Sequence, residues 1–65
     1  MNDLNQPIHP QALHFVLQLT PEQREHFEER AAIYEFEGGY SREAAELKAI
    51  EAVIKQWPEL SAAAH

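Results

Sequence analysis

The segment Phe36-Glu37-Gly38-Gly39-Tyr40-Ser41-Arg42-Glu43 ends one helical pattern and begins another within a few residues. Gly38 and Gly39 can take the positive φ that closes a helix C-terminus. The Ser41 hydroxyl can accept a hydrogen bond from a free N–H group of the next first turn. The segment therefore predicts a tight helical hairpin.

The helix before this turn begins at a capping box. Thr20 can cap the N–H of Gln23, the Gln23 side chain can reach back to Thr20, and Pro21 suits the first helical position. We expect this helix to run from Pro21 to about Glu37. Its C-terminal half is apolar on two sides and therefore needs more than one packing neighbour. One side carries Phe27, Ala31 and Tyr34, and the other carries Ala32, Ile33 and Phe36.

The helix after the turn is expected from Arg42 to about Trp57, because Pro58 disfavours helical backbone at the residue before it. Its apolar residues recur with the helical period and form one stripe that must be buried. The stripe comprises Leu47, Ile50, Val53, Ile54 and Trp57. We predict that Leu47, Ile50, Ile54 and Trp57 form the core or a dimer face.

A short first helix is expected to begin at Pro10. Leu13, Val16 and Leu17 have the i, i+3, i+4 spacing of an apolar stripe. Phe15 and Leu19 are further apolar candidates. The sequence leaves open whether this stripe closes the core of one chain or packs across a dimer.

The predicted fold is all-α, with a short N-terminal helix followed by a two-helix hairpin. It is a single domain over residues 1–65 with loose ends at about 1–6 and 61–65. Chains this short bury only ~60% of their unfolded surface, and without cysteine no disulfide can help, so we expect a homodimer that completes a helical bundle. The expected core is Phe27, Ala31, Tyr34, Leu47, Ile50, Ile54 and Trp57.

The charge balance points to a protein partner. Eleven acidic residues against five basic ones give a formal charge of −6, which repels phosphate backbones and anionic lipid. A basic surface on another protein is the favoured partner, and direct nucleic-acid binding is not expected. No apolar run is long enough to span a membrane, and the polar N-terminus lacks the pattern of a signal peptide, so a cytoplasmic location is expected.

The candidate binding residues lie on the second helix and at the turn: Glu22, Glu25, Glu29, Glu35, Glu37 and Tyr40. Glu35 and Glu37 are placed in the last turn, where the helix dipole disfavours carboxylates by ~0.3–1 kcal/mol each. Carboxylates at an unfavourable position, with no stabilising contact in the helix to explain them, indicate that they bind a partner. The alternative is a solvated acidic helix that keeps a small protein soluble.

The sequence contains no arrangement that indicates catalysis or a cofactor. Thr20 and Ser41 are explained as helix caps, and no glycine-rich phosphate loop follows a strand, so an enzyme is not expected. Glu22, His26 and Glu29 share one side of a helix, but a carboxylate-bridged metal site draws ligands from several helices, so no metal is expected.

Two resemblances fall on the turn. The stretch Glu37 to Leu47 resembles the turn and following helix of DNA-binding helix-turn-helix proteins, but it is not followed by a basic recognition helix. The string Glu29 to Glu46 is similar to a helix-turn-helix segment of small uncharacterised proteobacterial proteins from phages, plasmids and replication-associated elements, over about residues 28–49. This second resemblance implies a mobile-element origin, and such small acidic proteins often inhibit a host or replication protein.

The sequence thus predicts a non-enzymatic protein-interaction module with an acidic helical surface, acting as a mobile-element inhibitor or, in a sharper form, as a nucleic-acid mimic. The alternative is a helix-turn-helix-like nucleic-acid-binding regulator, with Arg42 and Lys48 on phosphates.

Overall fold

A computed structural model describes residues 7–63. In this part of the chain all regular secondary structure is helical. They are α1 (Pro10–Val16), α2 (Pro21–Phe36), α3 (Arg42–Gln56) and the single turn α4 (Leu60–Ala63). The prediction of an all-α fold, with a short helix followed by a two-helix hairpin, is confirmed. The helix α4 was not predicted. It covers part of the C-terminal end that we expected to be loose, whereas the loose N-terminal end expected at residues 1–6 lies outside the described residues.

The start of α2 has the predicted capping box. The backbone N–H of Gln23 donates to the Thr20 hydroxyl at 3.2 Å, and the N–H of Thr20 donates to Oε1 of Gln23 at 3.0 Å. Pro21 occupies the first helical position. The helix therefore begins where the local sequence signals agree.

The turn between α2 and α3 uses its two glycines for different reasons. Gly39 has a φ of +76°, the left-handed conformation that glycine adopts without steric cost. A Cβ on Gly38 would lie 2.7 Å from the carbonyl oxygen of Tyr34 and 3.0 Å from the ring of Tyr40, so the close approach of the backbone requires glycine there. Ser41 then caps α3 by accepting from the N–H of Ala44 at 3.2 Å.

The core lies between α2 and α3 and is completed by α1, whose residues belong to the same buried cluster. Phe27 is the most deeply buried residue of α2. Its ring meets that of Phe15 from α1 at 6.5 Å between centroids and 53° between planes. Leu19, Ala31, Ile54, Trp57 and Leu60 pack around the buried cluster. The buried apolar residues are Ala12, Phe15, Val16, Phe27, Ala45, Ala49, Ile50 and Val53. The apolar face of α1 thus packs into the core of a single chain.

The buried face of α1 differs from the predicted stripe. Ala12, Phe15 and Val16 are buried, whereas Leu13 is exposed and Leu17, with 74% of its surface exposed, caps the C-terminus of the helix. The small Ala12 side chain lets the helix approach its neighbours closely, and the ring of Phe15 fills the space in front of Phe27. The buried face has the predicted helical spacing, but it is shifted by one residue toward the N-terminus.

The buried face of α3 is likewise turned toward its alanines. Ala45 and Ala49 are fully buried beside Ile50, while Leu47 is 37% exposed and is not a core residue. Tyr34, also expected in the core, is only half-buried and contacts Tyr40 instead. Two helices pack most closely where their side chains are small, so the alanines are placed at the contact and a large residue moves to the flank.

Candidate interaction surfaces

The outer side of α2 carries three exposed carboxylates. Glu22, Glu25 and Glu29 are spaced i, i+3, i+7, which places them on one side of the helix over about 10 Å of its axis. None of the three forms an ion pair or side-chain hydrogen bond with the described residues. We call these three residues the outer acidic stripe. Their charge is presented to solvent, and Glu22, in the first turn of α2, also interacts favourably with the helix dipole.

Phe36 continues this side of the helix toward the turn. It follows the core residue Phe27 by nine positions, about two and a half helical turns, so the two rings point in opposite directions. Phe36 is 79% exposed, the highest value among the large apolar residues of the described chain. Phe36 was not among the predicted binding residues. Its position on the opposite side of the helix from Phe27 could have indicated that it is exposed.

The other glutamates of α2 have different surroundings. Glu28 is half-buried and its Oε2 accepts from Nε of Arg24 at 3.2 Å, so it belongs to an ion pair within the helix. Glu35 is half-buried, and Glu37 is the exposed C-cap residue. No basic residue lies in the last turn of α2, so the dipole there is not offset within the helix.

Tyr40 lies at the hairpin turn, in contact with residues on both sides of it. Its ring stands edge-on to Tyr34, with centroids 6.2 Å apart, and the ammonium of Lys48 lies 5.0 Å from the ring centroid. The side chain remains 41% exposed. It therefore stabilises the turn and still presents part of its ring to solvent.

Glu46 is a buried acidic residue that the sequence did not reveal. Only 3% of its surface is exposed, yet its carboxylate is fully bonded. Both oxygens accept from the N–H of Ile8 at 3.0 Å, Oε1 accepts from the N–H of His9 at 2.9 Å, and Nε of Arg42 donates to Oε2 at 3.3 Å. The side chain thus holds the segment that leads into α1 against α3.

His9 has a role in the same contact. It is the N-cap residue of α1, and its Nδ1 accepts from the N–H of Gln11 at 3.1 Å. The imidazole of His9 thus caps the first turn of α1, while the carboxylate of Glu46 binds the N–H groups of the two residues that precede the helix.

A shallow groove of about 270 Å³ runs along the seam between α2 and α3. Its lining is mostly polar and comprises His26, Arg30, Tyr34, Ala52, Lys55 and Gln56. We call this set the seam groove. The imidazole of His26 also contacts Trp57, whose ring it meets edge-on with 5.4 Å between centroids.

Within residues 7–61, no three His, Asp or Glu side chains are grouped so that they could hold a metal ion.

In the same part of the chain, no helix has the length and apolar character that crossing a membrane requires. No protein-family model, curated protein or solved structure matches the chain.

Proposed function

We propose that the chain is a non-enzymatic protein-interaction module that presents the outer face of α2 to a basic surface on a protein partner. The observation that carries this proposal is the combination of the outer acidic stripe with Phe36 on one side of α2. Three carboxylates without a bonded partner in the described structure lie in line with a phenyl ring that is 79% exposed.

The two parts of this face have separate physical roles. Carboxylates on an exposed rim accelerate association with a basic surface and select against acidic ones. Phe36 supplies apolar area, and full burial of a side chain of this size is worth ~1.5–3 kcal/mol. Aromatic residues seated in a pocket supply much of the binding energy of protein interfaces. Phe36 lies about 10 Å from Glu29 along the α2 axis. The partner is therefore expected to have basic residues and, at that distance from them, an apolar pocket.

The exposed ring of Phe36 favours a protein-binding face over imitation of a nucleic acid, because a sugar–phosphate backbone has no apolar ring in line with its charges. The nucleic-acid-binding alternative receives less support, because Arg42 is bonded to Glu46 and Lys48 lies over Tyr40. The resemblance of residues 28–49 to mobile-element proteins favours a role as an inhibitor of the partner.

The experiment compares two charge reversals of equal size. The first variant carries Glu22→Lys, Glu25→Lys and Glu29→Lys; the control carries the same change at the exposed residues Glu43, Glu51 and Glu59. Immobilised wild type and both variants are exposed to cell lysate, and the affinity of each retained protein is then measured across a salt series. We expect a partner that binds wild type and control but not the stripe variant, with affinity that falls as salt rises.

Two results would contradict the proposal. One is a partner that binds all three proteins with equal affinity and equal salt dependence, and the other is a lysate in which no protein distinguishes the stripe variant from the control. Phe36→Ser tests the apolar part separately and is expected to weaken binding with little change in salt dependence. Light scattering on the same samples measures their mass and so tests the predicted homodimer.

A further inference from the structure

The seam groove concentrates basic side chains in an otherwise acidic protein. On α2, His26, Arg30 and Tyr34 follow one another at intervals of four residues and form one wall. On α3, Ala52, Lys55 and Gln56 form the other wall. The groove therefore has a guanidinium, an ammonium, an imidazole and a phenol along one opening.

The two full cations of the groove have no partner among the described residues. Arg24 pairs with Glu28, and Lys48 lies over Tyr40. Lys55 forms no ion pair with Glu51, although their spacing along α3 permits one. Arg30 likewise has no bonded carboxylate within the described part of the chain. Both donors are thus free to bind an external acceptor.

We propose that the seam groove binds the oxyanion of a small ligand, a phosphate or carboxylate group attached to an apolar ring. The planar guanidinium of Arg30 can donate two hydrogen bonds to such a group, and the ammonium of Lys55 adds a second charge. Tyr34 and Ala52 offer surface for the ring. Gln56 can both donate and accept.

The size and charge of the protein restrict the ligand class. A volume of about 270 Å³ lies just below the ~300–1,000 Å³ that ordinary ligand pockets occupy, so the ligand must be small. A formal charge of −6 repels extended polyanions. A single oxyanion is bound at contact distance to Arg30 and Lys55, while more distant charges are screened beyond ~8–10 Å at physiological salt.

The test is a titration of the full ¹⁵N-labelled chain, followed by NMR. The probes are phenyl phosphate, benzoate and inorganic phosphate, each compared with sodium chloride at the same ionic strength. We expect saturable shifts confined to the groove segments of α2 and α3, with phenyl phosphate or benzoate bound more tightly than inorganic phosphate. Tighter binding of phenyl phosphate would identify the group as a phosphate, and tighter binding of benzoate as a carboxylate.

Two variants make the test specific. Arg30→Gln removes a groove cation and is expected to weaken binding about tenfold, the usual effect of losing a hydrogen bond to a charged group. Arg24→Gln removes a cation of the same helix that lies outside the groove lining, and it should leave binding unchanged. Shifts that do not saturate with any probe, or equal binding by both variants, would overturn the proposal. Both residues are exposed, so neither change affects the core.

Discussion

Glu46 and the outer acidic stripe show two opposite uses of the same side chain. Glu46 is buried, and its carboxylate accepts backbone N–H groups from a segment more than 35 residues away in sequence. Glu22, Glu25 and Glu29 are exposed and bond to none of the described residues. The buried carboxylate joins two elements of the fold, whereas the exposed ones make no side-chain contact within the described part of the chain. The comparison separates glutamates that stability can explain from those that suggest binding.

The largest effect is expected for Glu46→Ala. This change leaves the N–H groups of Ile8 and His9 without their acceptor, and loss of one partner of a buried charged hydrogen bond costs about 1–3 kcal/mol. A core in a domain this small rarely supplies more than ~3–5 kcal/mol, so α1 is expected to detach. Urea unfolding and amide exchange measure both effects. Glu51→Ala, at an exposed site of the same helix, is the control and should unfold as wild type does.

If Glu46→Ala and Glu51→Ala lower the free energy of unfolding equally, the contrast between buried and exposed glutamates is wrong. A milder change sharpens the same point. Glu46→Gln keeps one oxygen acceptor but loses the charge, so its destabilisation should lie between those of Glu51→Ala and Glu46→Ala.

An intermediate effect of opposite sign is expected for Glu37→Lys. Glu37 is the C-cap of α2, where the helix dipole favours cations by ~0.3–1 kcal/mol, so the variant should be more stable than wild type. Glu22→Lys, in the first turn of the same helix, is the matched control and should be less stable by a similar amount. Thermal unfolding of both proteins at low salt measures the difference. Equal signs for the two changes would contradict the dipole explanation.

The smallest effect is expected within the outer acidic stripe itself. Glu25 and Glu29 are spaced i, i+4, and like charges at this spacing destabilise a helix by ~0.2–0.5 kcal/mol. The double change Glu25→Gln and Glu29→Gln should therefore stabilise the protein slightly while weakening its binding to a basic partner. Denaturant unfolding at low and high salt checks this, because screening should remove the gain. A clear loss of stability would show that these carboxylates have a structural role.

The sequence predicted those parts of the fold that depend on short-range chemistry. The capping box of Thr20 and Gln23, the cap by Ser41 and the positive φ of Gly39 each involve residues within one or two turns of one another. These interactions are nearly independent of the rest of the chain. The starts of α1, α2 and α3 were accordingly correct, and the ends of α2 and α3 differed by one residue from those expected.

The phase of the buried faces could not be obtained in this way. Leu13 and Leu47 are the more hydrophobic residues, but the contacts are made at Ala12, Ala45 and Ala49. Helix approach depends on the shapes of both partners, and a single helix does not contain that information. Glu46 was missed for a related reason, because its partners are backbone groups without a side-chain signature.

The candidate binding face was partly predictable. The exposure of Glu22, Glu25 and Glu29 follows from helical spacing relative to Phe27. The exposure of Phe36 follows from the same spacing. The grouping of Arg30 with Lys55 depends on which side of α2 meets α3, and this is known only from the packed structure.

The contact of Glu46 with the backbone sets a simple rule for sequence variation in the segment Pro7-Ile8-His9-Pro10. The carboxylate binds the main-chain N–H groups of the two middle residues, whatever side chains they carry. Many residues are therefore compatible with position 8, and uncharged N-cap residues, such as serine or asparagine, with position 9. Proline is the exception at both, since it has no N–H to donate. The two prolines that the chain does contain flank this pair of donors.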